Sequence, residues 1–291
     1  MTTLRSNRGN IVRKTISYML IIFFIIIFFI PVYWMISSSF KLPKDILSIP
    51  PKIIFEPTID NYKSVLLGTS TVGKTSMPQV VDFPKYLLNS IIVSFSATFI
   101  ALLISVPAGY TLARYKFKGK ATMGWYILIT RMLPQFGLLI PFYIMFSRLG
   151  LIDTYIALIL IYLTFILAFS VWMMKGFFQE IPHELEEAAQ IDGCTRVQAI
   201  FRIVFPLASP GMAATAIFLI ILCWNEFLFA LILTGLNAKT ATVAVYNFVT
   251  FREVVWGGLT AAGTLITLPI VIFFLIVQRN FIRGMTMGAI K

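Results

Sequence analysis

The feature that most constrains this chain is a run of 26 residues, Thr15–Phe40, that contains no charged side chain. A membrane-spanning helix needs about 20 predominantly apolar residues, whereas the apolar core of a signal peptide has about 7 to 15. We therefore interpret Ile16 to Ser38 as a retained first membrane span. Hydrophobic residues make up 58% of the 291 residues and charged residues only 12%, a balance that excludes a soluble domain.

Five more long stretches of low charge follow along the chain, at 86–113, 121–147, 154–174, 205–233 and 254–278. The sequence therefore predicts an all-α membrane protein with six transmembrane helices and both termini on one side of the membrane. The expected organisation is a tail at 1–15, a first transmembrane helix at 16–38, an outer loop at 39–85, a five-helix core at 86–280 with a polar loop at 176–204, and a tail at 281–291.

Basic residues indicate which side faces the cytoplasm. The formal net charge is +12 at pH 7, and two dense clusters without acids flank the first three spans. Their members are Arg5, Arg8, Arg13 and Lys14, and then Arg114, Lys116, Lys118 and Lys120. Cytoplasmic loops of membrane proteins carry such clusters, so we expect the N terminus, the C terminus and the polar loop at 176–204 to be cytoplasmic.

Polar residues are concentrated in Ile181–Gly211, in an otherwise apolar sequence. Pro182 suits the first position of a helix, and Gly193 suits the left-handed position just past its end. The pattern predicts a short helix, a turn, and a second short helix from about Thr195 that leads into a membrane span. On the first helix, Glu184 and Glu187 share one face. A flat apolar stripe is predicted beside them, formed by Leu185, Ala188, Ala189 and Asp192.

This stretch resembles the EAA loop of the permease subunits of binding-protein-dependent ABC importers, which reads E-A-A, three residues, G, nine residues, I-x-L-P. The matching residues are Glu187, Ala188, Ala189, Gly193, Ile203 and Pro206, with Phe205 in the place of the usual Leu. The resemblance implies the type I permease fold of ABC importers. It also implies that the loop is a coupling helix that docks on an ATPase, with Glu184 and Asp192 beside the motif as further contacts.

Other elements are similar to the carbohydrate-importing, MalG-like branch of this family. They are Pro57-Thr58-Ile59-Asp60-Asn61-Tyr62, Leu133-Pro134 with Ile140-Pro141, Leu149–Thr154, Trp224-Asn225-Glu226-Phe227, and the tail Phe281–Lys291. The resemblance implies a sugar or oligosaccharide as solute and half of a heterodimeric pore in a bacterial or archaeal cytoplasmic membrane. The tail at 281–291 is either a second contact with the ATPase or a frayed terminus.

The resemblance also implies a set of partners: a second, MalF-like permease subunit, a dimeric ABC ATPase and an extracytoplasmic solute-binding protein. This chain would then not be an enzyme and would hold no cofactor, because ATP and Mg would be bound by the ATPase. The residues themselves do not indicate which solute is carried.

Two charges fall inside predicted spans, where a lone arginine costs roughly 2.5 to 3.5 kcal/mol and needs protein or water around it. Arg131 lies ten residues into the third predicted span, and Glu226, beside Asn225, lies in the fifth. We expect Arg131, Gln135, Asn225 and Glu226 to line or gate a translocation path. A structural ion pair that locks two spans together explains the same charges equally well.

Two other classes of protein account for part of this pattern. A self-contained secondary transporter or channel would use Arg131 and Glu226 as an ion relay, but the two halves show no convincing internal repeat. An intramembrane enzyme needs a nucleophile with a base or a metal cluster, and the only histidine is His183.

The segment Gly68–Thr75 satisfies the phosphate-binding pattern G-x-x-x-x-G-K-[ST], but Pro78 and the lack of room for an α/β domain favour an accidental match.

Overall fold

The structure is a computed structural model that describes residues 3–68, 82–249 and 254–287, with side chains from 13 to 278 within these ranges. The regular elements in the described part are helical, apart from an isolated antiparallel bridge between Val249 and Val254. An all-α membrane protein, as the sequence predicts, is therefore confirmed.

Thirteen α-helices follow one another in the described ranges. They are α1 Thr3–Ser39, α2 Pro43–Ile46, α3 Asp60–Leu67, α4 Phe83–Arg114, α5 Lys120–Thr130, α6 Gln135–Arg148, α7 Tyr155–Glu180, α8 Glu184–Ile191, α9 Arg196–Ala199, α10 Phe205–Trp224, α11 Leu228–Leu233, α12 Ala241–Ala244 and α13 Trp256–Met287. A π-helical turn, Ile200–Val204, joins α9 to α10, and a 3₁₀ turn, Val245–Phe248, follows α12.

Five of the described helices are long and apolar enough to cross a membrane: Arg13–Ser39 within α1, α4, α7, Arg196–Trp224, and Trp256–Gln278 within α13. The third predicted span is divided into α5 and α6, which meet at an angle of 88° and make a sixth crossing if they are counted together. No side chain in the apolar window of α1 is buried inside this chain. An unburied apolar helix of this length is stable only in contact with lipid or another protein.

Proline explains the broken span but does not break every helix in which it occurs. Pro31, Pro107, Pro141, Pro210 and Pro269 lie inside helices that continue past them. Pro134 instead has extended backbone angles and precedes the first residue of α6. Because the residue before a proline avoids the helical region, the stretch 131–134 ends α5 and lets the chain change direction.

Two predicted boundaries differ from the structure. The first helix begins at Thr3, so much of the basic tail continues the membrane helix. The fifth predicted span, 205–233, ends as a continuous helix at Trp224, and the separate helix α11 follows after three residues. Glu226 therefore lies in a break between helices, where backbone N–H groups are free to bind its carboxylate.

The chain divides into two compact units, one formed by 1–82 with 247–265 and the other by 83–246 with 266–291. The division assigns 247–265, part of the predicted five-helix core, to the first unit. In this unit, the Asn61 amide group donates hydrogen bonds to the carbonyl oxygens of Ser39 and Lys41, each at 2.9 Å. Asn61 thus satisfies carbonyls that the end of α1 leaves unpaired, which gives the P-T-x-x-N-Y element a structural role.

The core of the second unit is built on the pair α4 and α7. Small residues on α4 let the two backbones approach closely, since a Cβ atom added at Gly109 would lie 2.7 Å from Cβ of Met174. Within the pair, the Ser170 hydroxyl donates to the Ser105 hydroxyl. Close contact between small residues and interhelical hydrogen bonds are the usual means of joining helices in a membrane. This pair of helices positions the residues of the candidate site described next.

Candidate functional site

The predicted helical hairpin is present and directly follows α7. Helix α8 runs from Glu184 to Ile191, two residues later than Pro182 suggests, and Gly193 has a φ of +89°. The N–H of Cys194 donates to the Ala189 carbonyl, which closes the end of α8. Thr195 then forms a capping box with Gln198 and starts α9. A left-handed residue followed by a capping box reverses the chain within a few residues.

One face of α8 is exposed and acidic. Glu184, Leu185, Glu187, Ala188 and Asp192 are exposed. The Glu187 side chain is 66% exposed, and its carboxylate lies 3.4 Å from Nδ1 of His183. Ala188, next to these acids, leaves a shallow surface that another protein can approach closely. This face of α8 is therefore exposed and acidic, so that it can pair with basic groups.

The opposite face of α8 is buried and contains a residue that sequence reasoning missed. Ala189, which was expected in the exposed stripe, is only 4% exposed and packs against its own chain. Glu186 is 3% exposed, and Arg114 of α4 binds its carboxylate at 2.6 Å. The signal available in the sequence was the three-residue spacing of Glu186 and Ala189, which places them on one face.

The last two motif residues lie apart from α8. Ile203 is half-buried in the π-helical turn, and Pro206 is exposed at the second position of α10. Because the helix continues from α9 through the π-helical turn into α10, Pro206 interrupts the helical hydrogen-bond pattern directly after that turn. These two residues therefore shape the return of the chain into α10 and are not part of the exposed face of α8.

A cavity of about 130 Å³ lies where α5 and α6 separate, and it brings together three of the four residues predicted for the path. Arg131, Gln135 and Glu226 line it, together with Tyr162, which the sequence analysis did not identify. The Arg131 guanidinium lies 4.8 Å from the ring centroid of Phe169, within the range of a cation–π interaction. The broken helices thus expose polar groups to a common space.

Glu226 caps a helix and does not pair with Arg131. Its two carboxylate oxygens accept hydrogen bonds from the N–H groups of Phe229 at 2.8 Å and Ala230 at 3.0 Å, at the start of α11. No ion pair joins Arg131 to Glu226 among the described side chains, so the interpretation as a locking ion pair is not supported. Asn225 is exposed, donates to the Ile221 carbonyl and does not line the cavity, contrary to expectation.

A separate cluster fixes the loop between α11 and α12 at the other end of α4. The Asp153 carboxylate accepts hydrogen bonds from the N–H groups of the four residues 235–238. Burial opposes ionisation, but these four donors outweigh it and hold the pKa of Asp153 below its usual value. Asp153 itself has a φ of +61°, which aspartate tolerates better than most residues.

Among the described residues, no group of three or more His, Cys, Asp or Glu side chains is placed to hold a metal ion. The phosphate-binding pattern at 68–75 lies outside the described residues except for Gly68, which ends α3 with a φ of +66°. The tail at 281–291 lies outside the described side chains.

Comparison with known proteins shows the family to which the chain is related. Residues 105–287 match the family described as binding-protein-dependent transport system inner membrane component. The trehalose transport system permease protein SugB of Mycobacterium tuberculosis is 37% identical, and the match covers 90% of this chain and 92% of that protein. The trehalose/maltose transport system permease protein MalG of Thermococcus litoralis is 32% identical, over 98% and 99% of the two chains.

The fold agrees with a solved structure as well. A bacterial ABC transporter involved in the import of the acidic polysaccharide alginate contains a chain that superposes with a TM-score of 0.72 at 21% identity, over 94% of this chain and 98% of that one.

Fold, hairpin and sequence together define an integral membrane subunit of a transporter. The chain belongs to the family of inner membrane components of binding-protein-dependent transport systems. It is a multi-pass membrane protein, and the alternative of a self-contained secondary transporter or channel is not favoured.

Proposed function

We propose that this chain is the permease subunit of an ATP-driven importer for a sugar or oligosaccharide. Its relatives named for trehalose and maltose support a carbohydrate as the solute. In this proposal the chain forms half of a translocation pore with a second permease subunit in a bacterial or archaeal cytoplasmic membrane. A solute-binding protein delivers the solute from outside, and a separate dimeric ATPase binds ATP and Mg.

The observation that carries the proposal is the two-sided structure of α8. Its outer face presents Glu184, Glu187 and Ala188 to solvent, whereas Glu186 and Ala189 hold its inner face against the same chain. A helix of eight residues is too short to be stable alone in water, so its fixed position depends on this inner face. A rigidly held helix with an acidic outer face is suited to receive force from a basic groove on the ATPase.

The proposal assigns α8, the N terminus and the C terminus to the cytoplasmic side. The basic clusters in the first turns of α1 and at the end of α4 support this orientation. Cys194, in the turn after α8, is partly exposed, whereas Cys223 is buried. A membrane-impermeant maleimide should therefore label Cys194 in inside-out vesicles and not in intact spheroplasts. The reverse pattern of labelling would contradict the orientation.

Coupling to an ATPase is tested by reversing one charge on the outer face of α8. With Glu187→Lys we expect the chain to remain in the membrane while ATP hydrolysis no longer drives uptake, because a lysine repels a basic groove. Gly193→Pro should have the same effect, since proline cannot adopt a φ of +89° and has no N–H to donate to the Gln190 carbonyl.

The measurement is the amount of ATPase that co-purifies with a tagged chain, together with ATP-driven uptake of [¹⁴C]trehalose and [¹⁴C]maltose by proteoliposomes. Glu56→Lys is the matched control, because Glu56 is an exposed glutamate of the outer loop. Retention of ATP-driven uptake by both variants would contradict the docking role of α8.

We further propose that Arg131, Gln135 and Glu226 contact the solute as it crosses the break between α5 and α6. Their shared cavity contains a cation, an amide and a carboxylate, which are groups that bind sugar hydroxyls. Arg131→Met and Glu226→Gln should each lower uptake at least tenfold at equal membrane expression. Asn225→Ala is the control outside the cavity, and unchanged uptake in both test variants would remove these residues from the path.

A further inference from the structure

Glu186 is the one acid of α8 that the structure buries. Glu184 and Glu187 on the same helix are exposed, whereas Glu186 is 3% exposed. A buried carboxylate is retained only where charged or hydrogen-bonding partners compensate for the lost water. The two residues that bind the Glu186 carboxylate, Arg114 and Tyr110, both lie on α4, so they determine what this face of α8 is attached to.

Arg114, the last residue of α4, is the main partner. Its Nε donates to Oε1 of Glu186 at 2.6 Å, and its Nη2 donates to the Ile181 carbonyl at 2.8 Å. The hydroxyl of Tyr110, one turn earlier on α4, donates to Oε2 of Glu186 at 2.8 Å. We call Arg114, Tyr110 and Glu186 the clasp. The clasp joins α4 to α8, and Arg114 also binds Ile181, which lies between α7 and α8.

The clasp lies beside a close contact between α4 and α7. Gly109, next to Tyr110, touches Met174 so closely that it leaves no room for a methyl group. The ring of Tyr110 also meets that of Phe178 edge to face, with centroids 5.5 Å apart. Interiors packed at this density transmit displacement because they deform little. A force applied through the clasp therefore acts on α4 and α7 together.

We propose that the clasp couples α8 to α4, so that a displacement of α8 by the ATPase moves α4 and α7 as one rigid body. Arg114 and Glu186 are positioning residues in this scheme, since neither lies on the exposed face of α8. Without the clasp, the side-chain connection between α8 and α4 is lost and α8 can turn about its two ends without moving α4. The inference rests on the proposed function, because it names the route by which docking at α8 reaches the transmembrane helices.

The experiment measures whether α8 and α4 keep a fixed distance during the ATPase cycle. Nitroxide labels are attached to Cys194, in the turn after α8, and to an exposed position of α4 created by Leu103→Cys, in a Cys223→Ala background. The complex is isolated through a tag on this chain and placed in lipid nanodiscs. The distribution of distances between the labels is recorded by pulsed electron paramagnetic resonance, without nucleotide and with ATP and vanadate.

Glu186→Gln, Arg114→Gln and the double variant are compared with the unsubstituted chain. Glu186→Gln preserves shape and removes only the charge. Lys116→Gln is the matched control, because it removes a positive charge from an exposed residue close to Arg114. If the pair acts as a unit, the double variant should behave like either single variant.

We expect a narrow distribution that ATP and vanadate do not change in the unsubstituted chain and in Lys116→Gln. In the clasp variants the width should at least double and the mean should shift with ATP, while co-purified ATPase and its hydrolysis rate stay within twofold. The proposal is overturned if the clasp variants give distributions as narrow as that of the unsubstituted chain, or if ATP and vanadate shift the distribution of the unsubstituted chain. Loss of the ATPase from the clasp variants would also overturn it, because the clasp would then be part of docking.

The two proposals fail in different ways. Absence of any co-purified ATPase from the unsubstituted complex would contradict the proposed function. The distributions recorded without nucleotide still test the clasp in that case, because they compare the attachment of α8 to α4 within this chain alone.

Discussion

The two ends of α4 hold their neighbouring loops by different kinds of contact. At its last turn, Arg114 and Tyr110 bind the side chain of Glu186 on α8. At its first turns, Asn89 donates to the carbonyl oxygens of Asn237 at 2.8 Å and Lys239 at 2.8 Å, both in the loop before α12. One end therefore binds a charged side chain, and the other binds backbone.

The difference determines which surfaces are left for partners. Because Glu186 and Ala189 of α8 face inward, the exposed acids Glu184 and Glu187 remain available on the outer face. In the loop at 235–238, by contrast, Asp153 binds the backbone N–H groups and Asn89 binds one of the carbonyls, so the main chain is largely occupied. The first arrangement leaves an exposed acidic surface, and the second fixes the shape of a loop.

The largest effect is expected from removing the charge at the α8 end. Arg114→Met leaves the buried carboxylate of Glu186 without its ion-pair partner, and breaking a buried pair in this way costs about 3–5 kcal/mol. The free energy of unfolding in detergent micelles should fall by that amount. Lys116→Met, a change of the same charge at an exposed site, should stay within about 0.5 kcal/mol. Equal losses in the two variants would show that the pair contributes nothing.

A smaller effect is expected at the opposite end. Asn89→Ala removes one acceptor and two donor contacts, since Asn89 also accepts from the Tyr155 hydroxyl at 2.7 Å. Leaving buried polar groups unsatisfied costs about 1–3 kcal/mol. Hydrogen exchange should accelerate at residues 237–241 while that of α8 is unchanged. Acceleration at both ends would mean that the two attachments are not independent.

The smallest effect is expected from Asp153→Asn, which keeps the left-handed backbone because asparagine also tolerates it. The partly exposed carboxylate loses part of its strength to solvent, so we expect a cost below about 1 kcal/mol. The pKa of Asp153 is lowered in the folded protein, so its contribution is present above the ordinary aspartate pKa of about 3.9 and is lost as pH falls below it. The measurement is the free energy of unfolding between about pH 6 and 3. Over this range the unsubstituted chain should lose the contribution of Asp153, whereas Asp153→Asn should show no such loss.

Local signals made the hairpin of α8 and α9 predictable. Gly193, Thr195 and the spacing of the EAA residues act within one or two turns of the chain, and the structure places the left-handed residue and the capping box where the sequence indicates. The break at Pro134 was harder to interpret, because five other prolines lie within continuous helices. A proline changes the backbone locally, but the surrounding packing decides whether the helix resumes in the same direction.

Sequence patterns alone predict that this chain crosses a membrane several times and carries an acidic helical hairpin, and its motifs indicate the family. Apolar length, helix caps and motif spacing are properties of neighbouring residues, so they need no tertiary structure. Only the tertiary structure decided that Glu186 turns inward while Glu187 turns outward, and that Glu226 caps α11. Glu186 depends on a partner 72 residues away in the chain, and Glu226 on where α10 ends, and both are fixed only when the helices pack.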